Sequence, residues 1–232
     1  MNSDRLKLSE ITEQSLSSLV CSYFVCETCY FVDGDRKRSQ TGHPCSVCNT
    51  PSDGGHFYFH INIFILIDLI QDAFHSSPRE MPFLSGTDGK EARRVSVILF
   101  FCTLREALLE NLIWNLCLAK KLSNPIIKRL LADNRFHIQK QSKLFPSLTE
   151  VKWEEALQRL TESGFNDYQQ LDKFIEAIVE SRNHFVHRGS IFSTTDEMAE
   201  DCLSKTGLLI DLYVELHNEY VHSLYMKNIK PN

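Results

Sequence analysis

The chain has 232 residues and a net charge of −5, with 43% hydrophobic and 24% charged residues. That is ordinary globular usage, with enough chain to bury about 70% of the unfolded surface, and it excludes intrinsic disorder, collagen-like repeats and a mini-protein held by disulfides alone. A uniformly basic nucleic-acid binder is excluded as well, so any basic patch must be local.

The first ten residues, MNSDRLKLSE, contain no signal-peptide core. The longest apolar stretches, 61–70 and 95–101, are shorter than the roughly 20 residues that a bilayer crossing needs. A cytoplasmic location with no membrane partner is therefore expected. Of the eight cysteines, Cys21, Cys26, Cys29, Cys45 and Cys48 cluster early, whereas Cys102, Cys117 and Cys202 fall in helical patterns. This distribution predicts a metal site plus core thiols rather than a disulfide framework.

Residues 1–56 read as a small module rich in turn formers such as Asp33-Gly34 and Gly54-Gly55. Within it, Cys26-x-x-Cys29 and Cys45-x-x-Cys48 are separated by fifteen residues, the spacing of a four-cysteine zinc site. Four thiolate ligands close the tetrahedral shell of Zn2+ and leave no position for an activated water, so this zinc ribbon is expected to hold structure. Redox chemistry of the two pairs is the competing reading, disfavoured because no βαβ pattern surrounds them. Cys21 and His43 are alternative ligands; the simpler expectation is that Cys21 packs as a small apolar residue and His43 is exposed. Arg36, Lys37 and Arg38 form a basic loop tip, solvated or in contact with phosphate.

From residue 57 onward the apolar residues recur at helical spacing. Helices are predicted at 57–74, 92–122, 124–131, 149–163, 167–188 and 196–226, with a loop over 83–90. The second carries a broad stripe of Phe101, Leu104, Leu108, Leu112 and Leu116, widened by Ile98, Leu109, Ile113 and Cys117, which marks it as central. The fold class is accordingly mainly α: an all-helical bundle over 57–232 behind the zinc-ribbon module.

The fifth predicted helix ends in Ser181-Arg182-Asn183-His184-Phe185-Val186-His187-Arg188-Gly189. Its apolar stripe, Leu171, Phe174, Ile175 and Ile178, continues by four residues to Arg182 and then Val186. A guanidinium in that stripe needs an acidic partner or a bound anion, since burying it unpaired costs several kcal/mol, roughly. Asn183 and His187 are four apart and share a face. Arg182 and His187 are five apart, about 140 degrees around an α-helix, so both serve one phosphate only if the helix end unwinds or a cleft is flanked from two sides. A symmetric dimer would supply such a cleft. The chemistry suggested is metal-free phosphoryl transfer, with arginine neutralising charge and histidine moving protons.

The Arg182-x4-His187 spacing, with polar Asn183 after the arginine at the end of a helix in an all-helical domain, resembles the HEPN superfamily. The resemblance implies a metal-independent endoribonuclease acting as a homodimer, in which Arg182 holds phosphate, Asn183 orients and His187 transfers protons. It also implies RNA as substrate, a toxin or antiphage defence role, and an antitoxin protein as a partner. A non-catalytic HEPN module binding nucleotide, RNA or a protein is the alternative. A purely structural account pairs Arg182 with Glu106 or Glu110 and leaves His187 as a helix cap. His184 and Arg188 are given no chemistry.

The segment from Lys120 to Lys143 adds seven cations, Lys120, Lys121, Lys128, Arg129, Arg135, Lys140 and Lys143, against Asp133 alone. Such a run is a solvated face or, beside a phosphate site, an RNA-steering surface.

Overall fold

The computed structural model describes residues 23–34, 40–54, 56–75, 90–164, 166–189 and 193–229. Cys21, the Arg36–Arg38 tip and positions 83–89 of the expected loop lie outside them. The described chain is mainly helical, with one small sheet near its start.

Three two-residue strands, β1 (Phe24–Val25), β2 (Val32–Asp33) and β3 (His56–Phe57), form an antiparallel sheet in the order β2-β1-β3. Phe24 pairs with Asp33 and Phe57, and Val25 with Val32 and His56. The helix expected from residue 57 therefore begins later: β3 takes residues 56 and 57 into the sheet, and α1 runs Ile61–His75. Phe57 is on the sheet's edge strand while Tyr58 and Phe59 are buried in the main core.

The central helix α2 (Lys90–Ala119) stops three residues earlier than predicted. Lys121 adopts a left-handed conformation, φ 60°, and the amides of Lys121 and Leu122 donate to the carbonyls of Leu118 and Cys117. These two bonds satisfy the orphan carbonyls of the last turn in a Schellman arrangement. Helix α3 (Asn124–Asp133) follows, with Pro125 in its first turn as anticipated.

Residues 137–148, given no element by the sequence reading, are helical throughout, in α4 (His137–Gln139), a π-helical turn (Lys140–Leu144) and α5 (Phe145–Thr149). The single helix expected over 149–163 is broken at left-handed Glu150, φ 65°, and restarts as α6 (Trp153–Ser163). Helix α7 (Tyr168–Arg188) is capped by Asp167, whose side chain accepts from the Gln170 amide, and ended by Gly189 at φ 62°. The last predicted helix is α8 (Asp196–Leu216), a second π-helical turn (His217–His222) and α9 (Ser223–Ile229).

Helix α2 packs against α1, α7 and α8, and its predicted stripe is buried throughout. Cys102, Cys117 and Cys202 are buried core thiols, and burial raises their pKa, to about 12 for Cys102 and about 11 for Cys117. No helix among the described residues is long and apolar enough to cross a membrane.

Candidate functional sites

The four cysteines are presented by two matching backbone turns. In the first, the Tyr30 amide donates to the Cys26 carbonyl at 2.8 Å and the Cys26 amide to the Phe31 carbonyl at 2.9 Å; in the second, Asn49 donates to Cys45 at 3.0 Å and Cys45 to Thr50 at 2.9 Å. The residue after each second cysteine, Tyr30 or Asn49, takes a left-handed φ of 58° or 59°. That reversal curls each Cys-x-x-Cys so that both thiols face one point.

Cys26 Sγ lies 3.6 Å from Cys48 Sγ, and Cys29 Sγ lies 3.8 Å from Cys45 Sγ. All four sulfurs lie within 4.8 Å of one another, and the set could hold a metal ion. A tetrahedral ion at about 2.3 Å from each sulfur requires sulfur edges of about 3.8 Å, so the donors fit. Burial raises the Cys29 and Cys45 thiols; at Cys48 burial acts the same way, but hydrogen bonds with Thr50, Cys29 and Cys26 together outweigh it and draw that thiol down to about 6. His43 is partly buried, not exposed as expected, and is not one of the clustered ligands.

The cysteine module is fastened to the end of the bundle. The His217 ring bridges Tyr30 and Tyr58: Nε2 lies 2.9 Å from the Tyr30 carbonyl and Nδ1 lies 3.0 Å from the Tyr58 hydroxyl. Since a carbonyl only accepts, Nε2 carries the proton, and neutral Nδ1 accepts from Tyr58. Burial lowers the His217 pKa to about 4, which keeps this tautomer neutral. His222 Nδ1 donates to the Cys29 carbonyl at 2.6 Å. Asn218 pairs with both backbone groups of Val32, at 2.8 and 2.9 Å, in the manner of an extra strand, and Tyr225 stacks on Tyr30 with ring centroids 3.7 Å apart.

The second site lies at the end of α7. The stripe of Leu171, Ile175 and Ile178 is buried, Arg182 is partly buried, and Val186 is 49% exposed, so the apolar face leaves the core there. Arg182 Nη1 donates to Asn183 Oδ1 at 3.1 Å, while its buried Nε has no hydrogen-bond partner. Among the described residues Arg182 forms no ion pair: Glu110 is taken by Lys140 at 2.7 Å, and Glu106 is exposed. The purely structural pairing of Arg182 with either glutamate is thus not realised. His187 is exposed on the last turn. Because α7 stays α-helical through Arg188, Arg182 and His187 point about 140 degrees apart.

Sequence reasoning missed Arg105. It is 3% exposed, in the stripe of the central helix, four residues after Phe101 and four before Leu109. The argument that singled out Arg182, a cation in an apolar stripe, applies to it equally. Its Nη2 donates to Gln141 Oε1 at 3.2 Å, and its Nε and Nη1 are buried without partners. Of the basic run, Lys120, Lys121, Lys128, Arg129, Arg135 and Lys143 are exposed, but Lys140 is buried against Glu110. A cavity of about 450 Å³ opens beside this cluster, lined in part by Glu106, Glu110, Arg135, His137 and Lys140.

No family model matches the chain, and no curated protein or solved structure matches it.

Proposed function

We propose that this protein is a HEPN-type, metal-independent endoribonuclease acting as a homodimer in the cytoplasm, with a structural zinc ion on Cys26, Cys29, Cys45 and Cys48. The observation that carries the reading is the partly buried Arg182, steadied by Asn183 and left with an unpaired Nε among the described residues, five residues before the exposed His187. An arginine so placed is poised for an anion, and a solvated histidine near a helix C-terminus is poised to exchange protons. In this mechanism Arg182 neutralises the scissile phosphate while His187 takes the 2′-hydroxyl proton or protonates the leaving 5′-oxygen, giving a cyclic phosphate end.

The splay of Arg182 and His187 on one α-helix favours a cleft completed by a second copy, and the exposed Val186 offers apolar surface to bury there. The proposed zinc takes no part: four thiolates fill its shell, and its module is fastened to the second π-helical turn and α9 through His217, His222 and Tyr225. RNA steering falls to the exposed cations of 120–143. A toxin or antiphage role, with an antitoxin restraining the enzyme, completes the proposal.

The test is RNA cleavage with mapped product ends. Cleavage that leaves cyclic phosphate, survives EDTA in short assays and is lost in His187→Ala supports the proposal. Activity that needs added magnesium and ignores His187 overturns it; RNA binding with no cleavage under any of these conditions overturns it in favour of a non-catalytic binding module.

A further inference from the structure

Helix α2 buries its apolar stripe, but another face of the same helix lines the cavity of about 450 Å³. Thr103, Glu106, Ala107, Glu110, Asn111 and Trp114 recur at steps of three and four and form its floor over three turns, roughly 16 Å. Ala107, near the middle of that face, carries no side chain long enough to fill the space. The walls come from the start of α1 at Asn62 and from the chain around α4 at Arg135 and Lys140. An adjoining hollow adds Lys128 of α3 and shares Glu110, Trp114, Arg135 and Lys140 with the first, so the two form one groove. The volume of the main cavity falls in the range of small-molecule sites, roughly 300–1,000 Å³.

The lining divides into groups that are already committed and groups that a ligand can use. Lys140 is buried and paired with Glu110 at 2.7 Å, so these two charges hold the wall and neutralise each other. Glu106 is exposed in the groove and forms no ion pair among the described residues. Asn115 Nδ2 donates to Asn111 Oδ1 at 3.3 Å, which leaves Asn111 Nδ2 as a donor for a ligand. Trp114 is partly buried, packed on the core, and its remaining surface gives the groove an aromatic wall. On the rim stand the exposed cations Arg135 and Lys128. The Arg135 guanidinium lies 5.2 Å from the centroid of the Phe136 ring, which is itself 58% exposed.

An aromatic wall, a carboxylate, an amide donor and cations at the mouth match the parts of a nucleotide: a flat base with a polar edge, and a phosphate. The carboxylate narrows the choice. It only accepts, through two oxygens, and guanine alone among the four RNA bases presents two adjacent donors, N1–H and the 2-amino group, with the acceptor O6 beside them. We propose that this groove binds one unpaired guanosine nucleotide of a single-stranded RNA. The base stacks on Trp114, its donor edge meets Glu106, O6 accepts from Asn111 Nδ2, and the phosphate lies against Arg135 and Lys128. The exposed Phe136 carries the neighbouring base. That the nucleotide belongs to an RNA rests on the nuclease reading of the Arg182 site, whereas the choice of guanine rests on the groove alone.

The test titrates the whole chain by calorimetry with GMP and AMP, then with uncleavable 2′-O-methyl oligouridine carrying or lacking one guanosine, in wild type, Glu106→Gln and Trp114→Leu. Wild type is expected to favour GMP over AMP, and the guanosine-containing oligonucleotide over the plain one, by roughly 10- to 100-fold. Glu106→Gln, a change at an exposed position, should bring GMP down to the affinity of AMP. Trp114→Leu should weaken both nucleotides by roughly 10- to 100-fold. Equal affinity for GMP and AMP in wild type, or a guanine preference that survives in Glu106→Gln, overturns the proposal. Should Trp114→Leu fail to fold, the Glu106→Gln comparison decides alone. A preference for GMP without one for the guanosine-containing oligonucleotide overturns the RNA assignment and makes a free nucleotide the ligand. Guanosine-dependent RNA binding with no cleavage under any condition sinks the nuclease reading and keeps this one, whereas cleavage indifferent both to guanosine and to Glu106→Gln does the reverse.

Discussion

His217 and His222 are five residues apart and grip two consecutive backbone carbonyls, those of Tyr30 and Cys29. On an α-helix that separation throws side chains about 140 degrees apart. The π-helical turn at His217–His222, with its i to i+5 closure, brings the fifth residue back to nearly the same face. Arg182 and His187 have the same spacing on a regular α-helix and remain splayed. One five-residue pair is thus closed within the chain, and the other is left open.

The grip of His217, Asn218, His222 and Tyr225 on the cysteine module couples metal binding to the end of the bundle. One metal ion per chain is expected by elemental analysis of protein purified under reducing conditions. Structural zinc contributes on the order of 10 kcal/mol to the folding of its module. Chelation or Cys29→Ser should therefore remove hydrogen-exchange protection from the β1–β3 sheet and also from residues 217–229, while α2 and α7 stay protected. A Cys26–Cys29 disulfide in metal-free protein would refute the metal site.

His217→Ala strips the Tyr30 carbonyl and the Tyr58 hydroxyl of their partner in a buried setting. Leaving such groups unpaired costs roughly 1–3 kcal/mol. Chemical denaturation should show a lower midpoint with an unchanged slope. His222→Ala, at a less buried position, should cost less.

The His137 imidazole is held down to about 4 by burial first and then by the charges of Arg105, Arg182 and Lys140. Its neutral form therefore prevails through the ordinary histidine range. Removing a neighbouring cation favours the imidazolium, so Arg105→Met or Arg182→Ala should move the titration upward toward about 6.5. Bound phosphate should move it the same way in wild type. Imidazole carbon-bound proton shifts against pH would read this directly; a downward or absent movement would show that neither arginine faces His137.

For catalysis, His187→Ala should lower the cleavage rate about 100- to 10,000-fold with RNA binding nearly intact, because a proton-transfer group acts in the transition state. Arg182→Ala should weaken binding and rate together. If the cleft is shared between two copies, mixing the two inactive variants should restore cleavage that neither has alone. A strictly monomeric mass at micromolar concentration, or no recovery on mixing, would exclude the shared cleft.

Much of this architecture is legible in the residues. The Cys26, Cys29, Cys45 and Cys48 spacing is local chemistry, and each turn folds by its own backbone bonds, so four sulfurs able to surround a metal could be expected without knowing the rest of the fold. The stripe of α2 and the end of α7 at Arg188, just before Gly189, were equally plain, because helical periodicity and stop signals act over a few residues.

Tertiary packing decided the rest. Phe57 joins the sheet rather than α1 because Phe24, distant in sequence, supplies its strand partner. The π-helical turns leave no mark in propensity. They hold polar side chains against groups far along the chain: His217 and His222 against Tyr30 and Cys29, and Lys140 and Gln141 against Glu110 and Arg105. Arg105 could be located by its place in an apolar stripe, but its meeting with Gln141 and its closeness to the buried Asp172 carboxylate depend on how the π-helical turn and α7 approach α2. Periodicity fixes which face of a helix a residue occupies, whereas the partner it meets there is set by elements whose approach no local spacing encodes.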